Sequence, residues 1–337
     1  MKKLSLALVG TLILVILLAA CASSPTPTTQ PQQAAQPFRV AVVMPSKIND
    51  LAFSQSMYDA LVAIQNQMGK DNFQFDYTDN MFVVDDAAAA IRDYASKGYD
   101  LVIAHGSQYG SSLVEIAPEF PNTSFAHGTT VDTFTDKGVK NVFAYEARAE
   151  QGGYVEGVVA AMLSKSGTIG VIGPIETGDA KLYVDGFKSG VLATKPDANV
   201  TVTWTGDFSD VAKASEAAQT QINAGADVLT GTAQMVVGAV GVAKDKNVPW
   251  FGTQSNQTSL APNIVVASQV YKWDVVLNQI IDNIKSGTLG GTAFAIDLAN
   301  KGEVVEFNPD YQLPADAKDA AQKAIDGISS GSIKALP

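Results

Sequence analysis

Along this chain the spacing of apolar residues switches repeatedly between the period of a strand and that of a helix. Arg39-Val40-Ala41-Val42-Val43-Met44 is a short apolar run ending in the turn-forming Pro45-Ser46-Lys47-Ile48-Asn49-Asp50. From Phe53 to Met68 the residues Met57, Leu61, Ile64 and Met68 recur at steps of three and four, which is one helical face. Phe73-Gln74-Phe75-Asp76-Tyr77 alternates as a strand, and the helix predicted over 85–96 is stopped by Lys97-Gly98. Strand 101–104, helix 111–117 and strands 124–126 and 142–144 follow. A second series begins near residue 145 with helix 150–163, strand 168–172, helix 180–193, strand 199–204 and helix 210–223. It continues through strand 228–230, helix 234–244 and strands 249–251 and 264–267. Helix 272–285, strand 292–296 and helix 315–328 close the chain.

Strands alternating with helices of about a dozen residues mean βαβ units and parallel sheets. Two such series predict an α/β protein of two doubly wound parallel-sheet lobes joined by a hinge, with a ligand cleft between them. The first lobe is expected to span 38–144 plus about 268–292, and the second 145–264 plus about 293–337. Ligands of doubly wound sheets sit at the carboxyl ends of strands. Function is therefore expected in the loops 45–55, 105–110, 127–133, 173–179, 205–210, 231–234, 252–258 and 268–274.

Residues 1–37 follow neither pattern. Lys2 and Lys3 precede an uncharged run from Leu4 to Ala20, ending in Leu18-Ala19-Ala20-Cys21. A small residue before a cysteine, just after an apolar run, resembles the bacterial lipobox, and the flanks read as a secretory signal. The expectation is a signal peptide over 1–20 and a lipidated Cys21, which would anchor the chain on the extracytoplasmic face of the cell membrane. Residues 22–37 hold four prolines, five Ser or Thr, four Gln and no charge, the composition of an extended tether.

Charge and chemistry narrow the function. Asp and Glu number 34 against 23 Lys and Arg, which argues against sequence-independent nucleic-acid binding. One cysteine precludes an intrachain disulfide, and the only histidines are His105 and His127. Together with carboxylates these two could hold zinc, but imidazoles hydrogen-bonded at strand ends are the favoured reading. No dinucleotide or P-loop glycine motif follows a strand, and Gly106-Ser107-Gln108-Tyr109-Gly110 lacks the central serine of a nucleophile elbow. No enzyme and no cofactor is expected. What remains in the strand-end loops is aromatic and amide: Phe53, Tyr58, Tyr109, Phe208, Gln254, Asn256, Tyr271 and Trp273. Rings with convergent amides suit a neutral planar heterocycle.

Several segments resemble the basic membrane protein family, lipoproteins that serve as substrate-binding components of ABC importers. Asp50-Leu51-Ala52-Phe53-Ser54-Gln55-Ser56-Met57-Tyr58 is similar to the family's D-x-[SG]-[FW]-N-Q element. Phe125-Ala126-His127-Gly128, then Asn141-Val142, Arg148, Tyr154 and Gly157, resembles the F-x-H-A…N-V…R…Y…G pattern of one branch. Gly225-Ala226-Asp227-Val228 matches a common strand entry, and Gly252-Thr253-Gln254-Ser255-Asn256-Gln257 stands where G-x-D-S-D-Q is frequent. The match runs from Val40 to about residue 330.

The resemblance implies a type I periplasmic-binding-protein fold, partnership with ABC permease and ATPase subunits, and capture of a purine nucleobase or nucleoside between one aromatic from each lobe. Those rings would be Tyr58 or Phe53 and Phe208, with Asp50, His127, Gln254, Asn256, Tyr271 and Trp273 completing the site. Gln254 and Asn256 replace two aspartates, and Tyr271 replaces the lysine of an S-x-x-K-x-x-D element, in Ser268-Gln269-Val270-Tyr271-Lys272-Trp273-Asp274. Losing a carboxylate and a cation weakens a ribose clamp, because charge-assisted hydrogen bonds are roughly twice as strong as neutral ones. A free base gains by that change. The alternatives are a ligand sensor for a signalling receptor and a nucleoside hydrolase.

Overall fold

In the computed structural model, which describes residues 36–336, the two expected series form two sheets. The expected signal peptide, Cys21 and the tether through Ala35 lie outside the described residues. The first series is β1 (Phe38–Val43), α1 (Phe53–Met68), β2 (Phe73–Thr78), α2 (Val84–Ser96), β3 (Leu101–Ala104), α3 (Gly110–Ile116), β4 (Ser124–Gly128) and β5 (Val142–Ala147). The second is α4 (Ala149–Leu163), β6 (Thr168–Gly173), α5 (Gly178–Thr194), β7 (Asn199–Trp204), α6 (Val211–Asn223), β8 (Val228–Gly231), α7 (Val236–Asp245), β9 (Trp250–Gly252) and β10 (Val265–Tyr271). After them come α8 (Asp274–Lys285), β11 (Ala293–Ile296), β12 (Glu303–Phe307) and α9 (Ala315–Ser329). Central strands such as Leu101–Ala104 and Val228–Gly231 are buried at every position, as helices on both faces of a parallel sheet require.

The sheet orders are β11-β5-β4-β3-β1-β2 and β12-β10-β9-β8-β6-β7. Only β12 runs against its neighbour, pairing antiparallel with β10 from Ala267↔Phe307 to Tyr271↔Glu303. In each sheet the winding reverses at the first strand of its series, β1 between β2 and β3, and β6 between β7 and β8. Those two places are where a doubly wound sheet opens a crevice.

Three lobe assignments need correction. Residues 145–147, expected in the second lobe, complete β5 of the first sheet. Residues 265–271, of which 268–271 were expected in the first lobe, belong whole to the second sheet, because β10 pairs with β9 and β12. Residues 293–296, expected in the second lobe, pair parallel with β5 of the first sheet. The chain thus crosses between lobes three times, at Ala147–Ala149, after Tyr271, and between Ile296 and Glu303. The crossings brace each other: Arg148 N–H donates to Ile296 O at 2.9 Å, Lys272 N–H to Gly302 O at 2.7 Å, and Leu298 N–H to Gln151 Oε1 at 3.1 Å. Three adjacent short connections therefore join the two sheets.

The core follows this layout. One cluster lies under α2 and α3 and a second under α6 and α7. A third runs from α1 through Tyr145 and Trp273 to α4, α5 and α9, so it continues across the crossings.

Candidate functional site

A cavity of about 380 Å³ lies between the two reversal points, within the ordinary range for a small-molecule site. Pro45 follows β1, and Gly106, Ser107 and Gln108 follow β3. Facing them, Thr177 to Ala180 follow β6, and Ala233 and Gln234 follow β8. Phe53, Phe82, Val84 and Thr129 complete the first wall, and Phe208 and Gln254 the second. Three wall residues, Thr129, Ala233 and Gln254, hold positive φ of 59°, 74° and 69° without being glycine. Such conformations cost about 1–3 kcal/mol each and collect at ligand sites.

Phe53 opens α1 and is placed by the turn before it. Asp50 Oδ1 accepts from the Ala52 and Gln55 amides at 2.9 and 3.1 Å, and Oδ2 from the Ser54 amide at 3.1 Å and from Ser46 Oγ. Burial raises the Asp50 carboxyl pKa, against these donors, which pull it down. Asp50 therefore caps the helix that carries the ring. Behind Phe53 the His105 imidazole stacks at 3.8 Å between centroids, with 6° between planes. Its Nε2 lies 3.2 Å from Phe53 O, so that nitrogen donates and Nδ1 accepts from the Tyr145 hydroxyl at 2.8 Å. Burial pushes the His105 pKa down to about 3, which keeps this support neutral. Trp273 meets His105, Tyr145 and Tyr271 edge-on and donates through Nε1 to Ser56 Oγ at 2.9 Å. Trp273 and Tyr271 thus form a second layer behind the wall.

Tyr58, the other candidate first-lobe ring, is not on the wall. Its ring packs edge-on against Phe75 and Tyr77 of β2. Five residues at about 100° each turn it roughly 140° away from Phe53 around α1. Asn256 is also outside: it is exposed and donates to Glu306 Oε2 at 2.9 Å. His127 lies behind the wall, stacked on Phe134 and set between the carbonyls of Asp132 and Ser107 at 3.4 and 3.3 Å; burial lowers its pKa. Tyr109 is buried and donates to Met81 O at 2.7 Å. Both imidazoles have each nitrogen beside a hydrogen-bonding partner. Among the described residues no group of three or more His, Cys, Asp or Glu is arranged to hold a metal.

The second wall contains a residue that the pattern did not single out. Asp179 lies in the first turn of α5, and its Oδ2 accepts from Gln254 Nε2 at 3.4 Å and from the Tyr271 hydroxyl at 3.3 Å. Burial raises its pKa, partly offset by those two donors. Gly178-Asp179 reads locally as a helix start, and no signal in the sequence links it to Gln254, 75 residues away. Phe82 escaped notice in the same way, as one ring in an irregular stretch before α2. The lobes also touch beside the cavity: Ser255 Oγ donates to Ala52 O at 2.8 Å, and Gln257 Nε2 to Leu51 O at 3.2 Å.

Comparison with known proteins points to one family. The family model described as "Bmp: ABC transporter substrate-binding protein PnrA-like" matches residues 38–334. A purine-binding protein of Brucella abortus (strain 2308) is 29% identical over 265 residues, covering 78% of this chain and 73% of that protein. The transcriptional activator protein Med of Bacillus subtilis (strain 168) is 28% identical over 275 residues, covering 80% of this chain and 83% of its own. Among solved structures, an ABC transporter solute-binding protein from Conexibacter woesei DSM 14684 superposes with a TM-score of 0.73 at 24% identity, covering 89% of this chain and 98% of that one.

Proposed function

The chain belongs to the Bmp family of PnrA-like ABC transporter substrate-binding proteins, and on that premise we propose that it captures a purine, as free base or nucleoside, and hands it to an ABC permease and ATPase. The observation that carries the ligand reading is the pair Phe53 and Phe208, one from each lobe, on the walls of a single cavity. A planar heterocycle stacks on such rings while amides read its edge. The 29% identical relative named as purine-binding supports the same ligand class. Binding needs hinge closure with higher affinity for the closed state, and no bond is made or broken. Because Asn256 points away from the cavity and no cationic side chain lines it, a free purine base is expected to bind at least as tightly as its nucleoside. Calorimetry with adenine, hypoxanthine and their nucleosides tests this. Nucleosides binding far tighter than bases would reverse the preference, and no heat with any of them would remove the purine reading.

The proposed setting is the extracytoplasmic membrane face, through a lipid on Cys21. Among the described residues no helix is long and apolar enough to cross a membrane. Cys21→Ser is expected to leave the precursor uncleaved and to abolish its labelling with a radioactive fatty acid. Normal cleavage and labelling in that variant would sink the lipobox reading.

A second reading, a ligand sensor that reports closure to a regulatory partner, draws support from the similarity to a protein named as a transcriptional activator. Loss of purine uptake on deleting the gene favours transport; intact uptake with altered gene expression favours sensing.

A further inference from the structure

Asp179 is the one ionisable side chain among the residues lining the cavity. Two donors converge on its Oδ2, Gln254 Nε2 at 3.4 Å and the Tyr271 hydroxyl at 3.3 Å, both longer than a well-formed hydrogen bond. With its NH₂ turned to Asp179, Gln254 is left with Oε1 buried and without a partner, although the residue is only 3% exposed. A buried acceptor left unmatched is costly, and a ligand donor that reached it would relieve that cost. The Tyr271 hydroxyl and one N–H of Gln254 are thus engaged by Asp179, and against the one N–H that Gln254 keeps, the corner holds acceptors in excess: the carboxyl oxygens and the amide oxygen beside them.

Resting on the purine reading above, we infer that Asp179 and Gln254 Oε1 form an acceptor pair that selects purines bearing an exocyclic amino group. An amino group conjugated to the ring lies in the ring plane and carries two N–H donors, so it can serve both oxygens while the ring stays between Phe53 and Phe208. An oxo group at the same place would set lone pairs against lone pairs. A bare ring carbon would leave both acceptors desolvated and unpaired, and polar sites built to pair with an N–H discriminate strongly against analogues that lack it. No cationic side chain is among the residues lining the cavity, and Lys181, two positions after Asp179, is paired with Glu176 and Asp185 at 3.3 and 2.7 Å.

The test is a comparison of dissociation constants for 6-aminopurine, 2-aminopurine and unsubstituted purine, by calorimetry on the full chain and on Asp179→Asn. The wild type is expected to bind at least one aminopurine tenfold or more tighter than purine. In Asp179→Asn that ratio should fall to threefold or less, because the near-isosteric amide can replace an acceptor with a donor. Equal binding of all three ligands by the wild type overturns the inference, as does a ratio that survives the substitution. A merely structural role for Asp179 would lower every affinity and leave the ratio intact. Should Asp179→Asn fail to fold, Gln254→Met removes the unpaired oxygen at similar length, and the same ratio is read there. Failure of the wild type to bind any of the three ligands would instead remove the purine reading, an outcome distinct from a lost amino preference.

Discussion

On the proposed purine reading, truncating Phe208 to Ala is expected to weaken binding by about 1–3 kcal/mol, roughly 5- to 150-fold, on the scale of base–aromatic stacking. Its expected effect on stability is within about 0.5 kcal/mol. The separation follows from where the ring sits. Phe208 is half-buried on the cavity wall and belongs to none of the three core clusters, so removing it leaves little void. Phe53 differs: it is 8% exposed, stacks on His105 and is part of the cluster that continues across the connections between the sheets. Phe53→Ala should therefore lower affinity and also cost about 3–5 kcal/mol of stability, the usual price of deleting a buried ring. Tyr58→Ala should leave affinity alone, since that ring packs on β2. Calorimetry and thermal melts on the three variants check all of this. Unchanged affinity in Phe208→Ala would remove the second-lobe half of the proposed sandwich.

The elements were legible wherever one face repeats. The helix predicted over 53–68 is found at Phe53–Met68, with Met57, Leu61 and Ile64 all buried. The alternating Phe73-Gln74-Phe75 and the apolar runs of both series became strands of the expected sheets. Pairing partners were not legible. Glu303-Val304-Val305-Glu306-Phe307 is a strand because β10 lies alongside it, and its own pattern is too short to declare that. Strand 293–296 likewise looks the same whichever sheet receives it, and only its bonds to β5 decide.

The same limit shaped the reading of the site. Phe53, Phe208 and Gln254 reach the wall because strand-end loops do so in any doubly wound sheet. Choosing Phe53 over Tyr58 needs the rotation of α1, which the motif alone does not supply. Asp179 needs more. Its relevance arises from contacts with Gln254 and Tyr271, 75 and 92 residues away. Such a residue looks like an ordinary first-turn acid of a helix.

Gly157→Ala is expected to destabilise the fold by about 2 kcal/mol, and the reason also bears on the cavity. Helices α4 and α5 approach backbone to backbone. A Cβ on Gly157 would run into the carbonyl of Phe187, and one on Gly190 into the carbonyl of Tyr154. No side chain can swing aside there, so the helices must part. Alanine gains up to about 1 kcal/mol over glycine in a helix interior, while overpacking costs about 1–3 kcal/mol or more. With backbone as the obstacle the upper end applies, and the cost wins. Gly241 is the control: it lies in α7 with nothing within 4 Å of a Cβ, so Gly241→Ala should be neutral or stabilising by up to about 1 kcal/mol. Since α5 carries Gly178 and Asp179 on the cavity wall, parting the helices should also weaken ligand binding in Gly157→Ala and not in Gly241→Ala. The Gly157→Ala, Gly190→Ala double variant should lose less than the sum of the singles, because helices already parted by one methyl make room for the second. Denaturant titration of the four variants and the wild type reads each term, and a Gly157→Ala protein as stable as the wild type would show that the α4–α5 contact yields without cost.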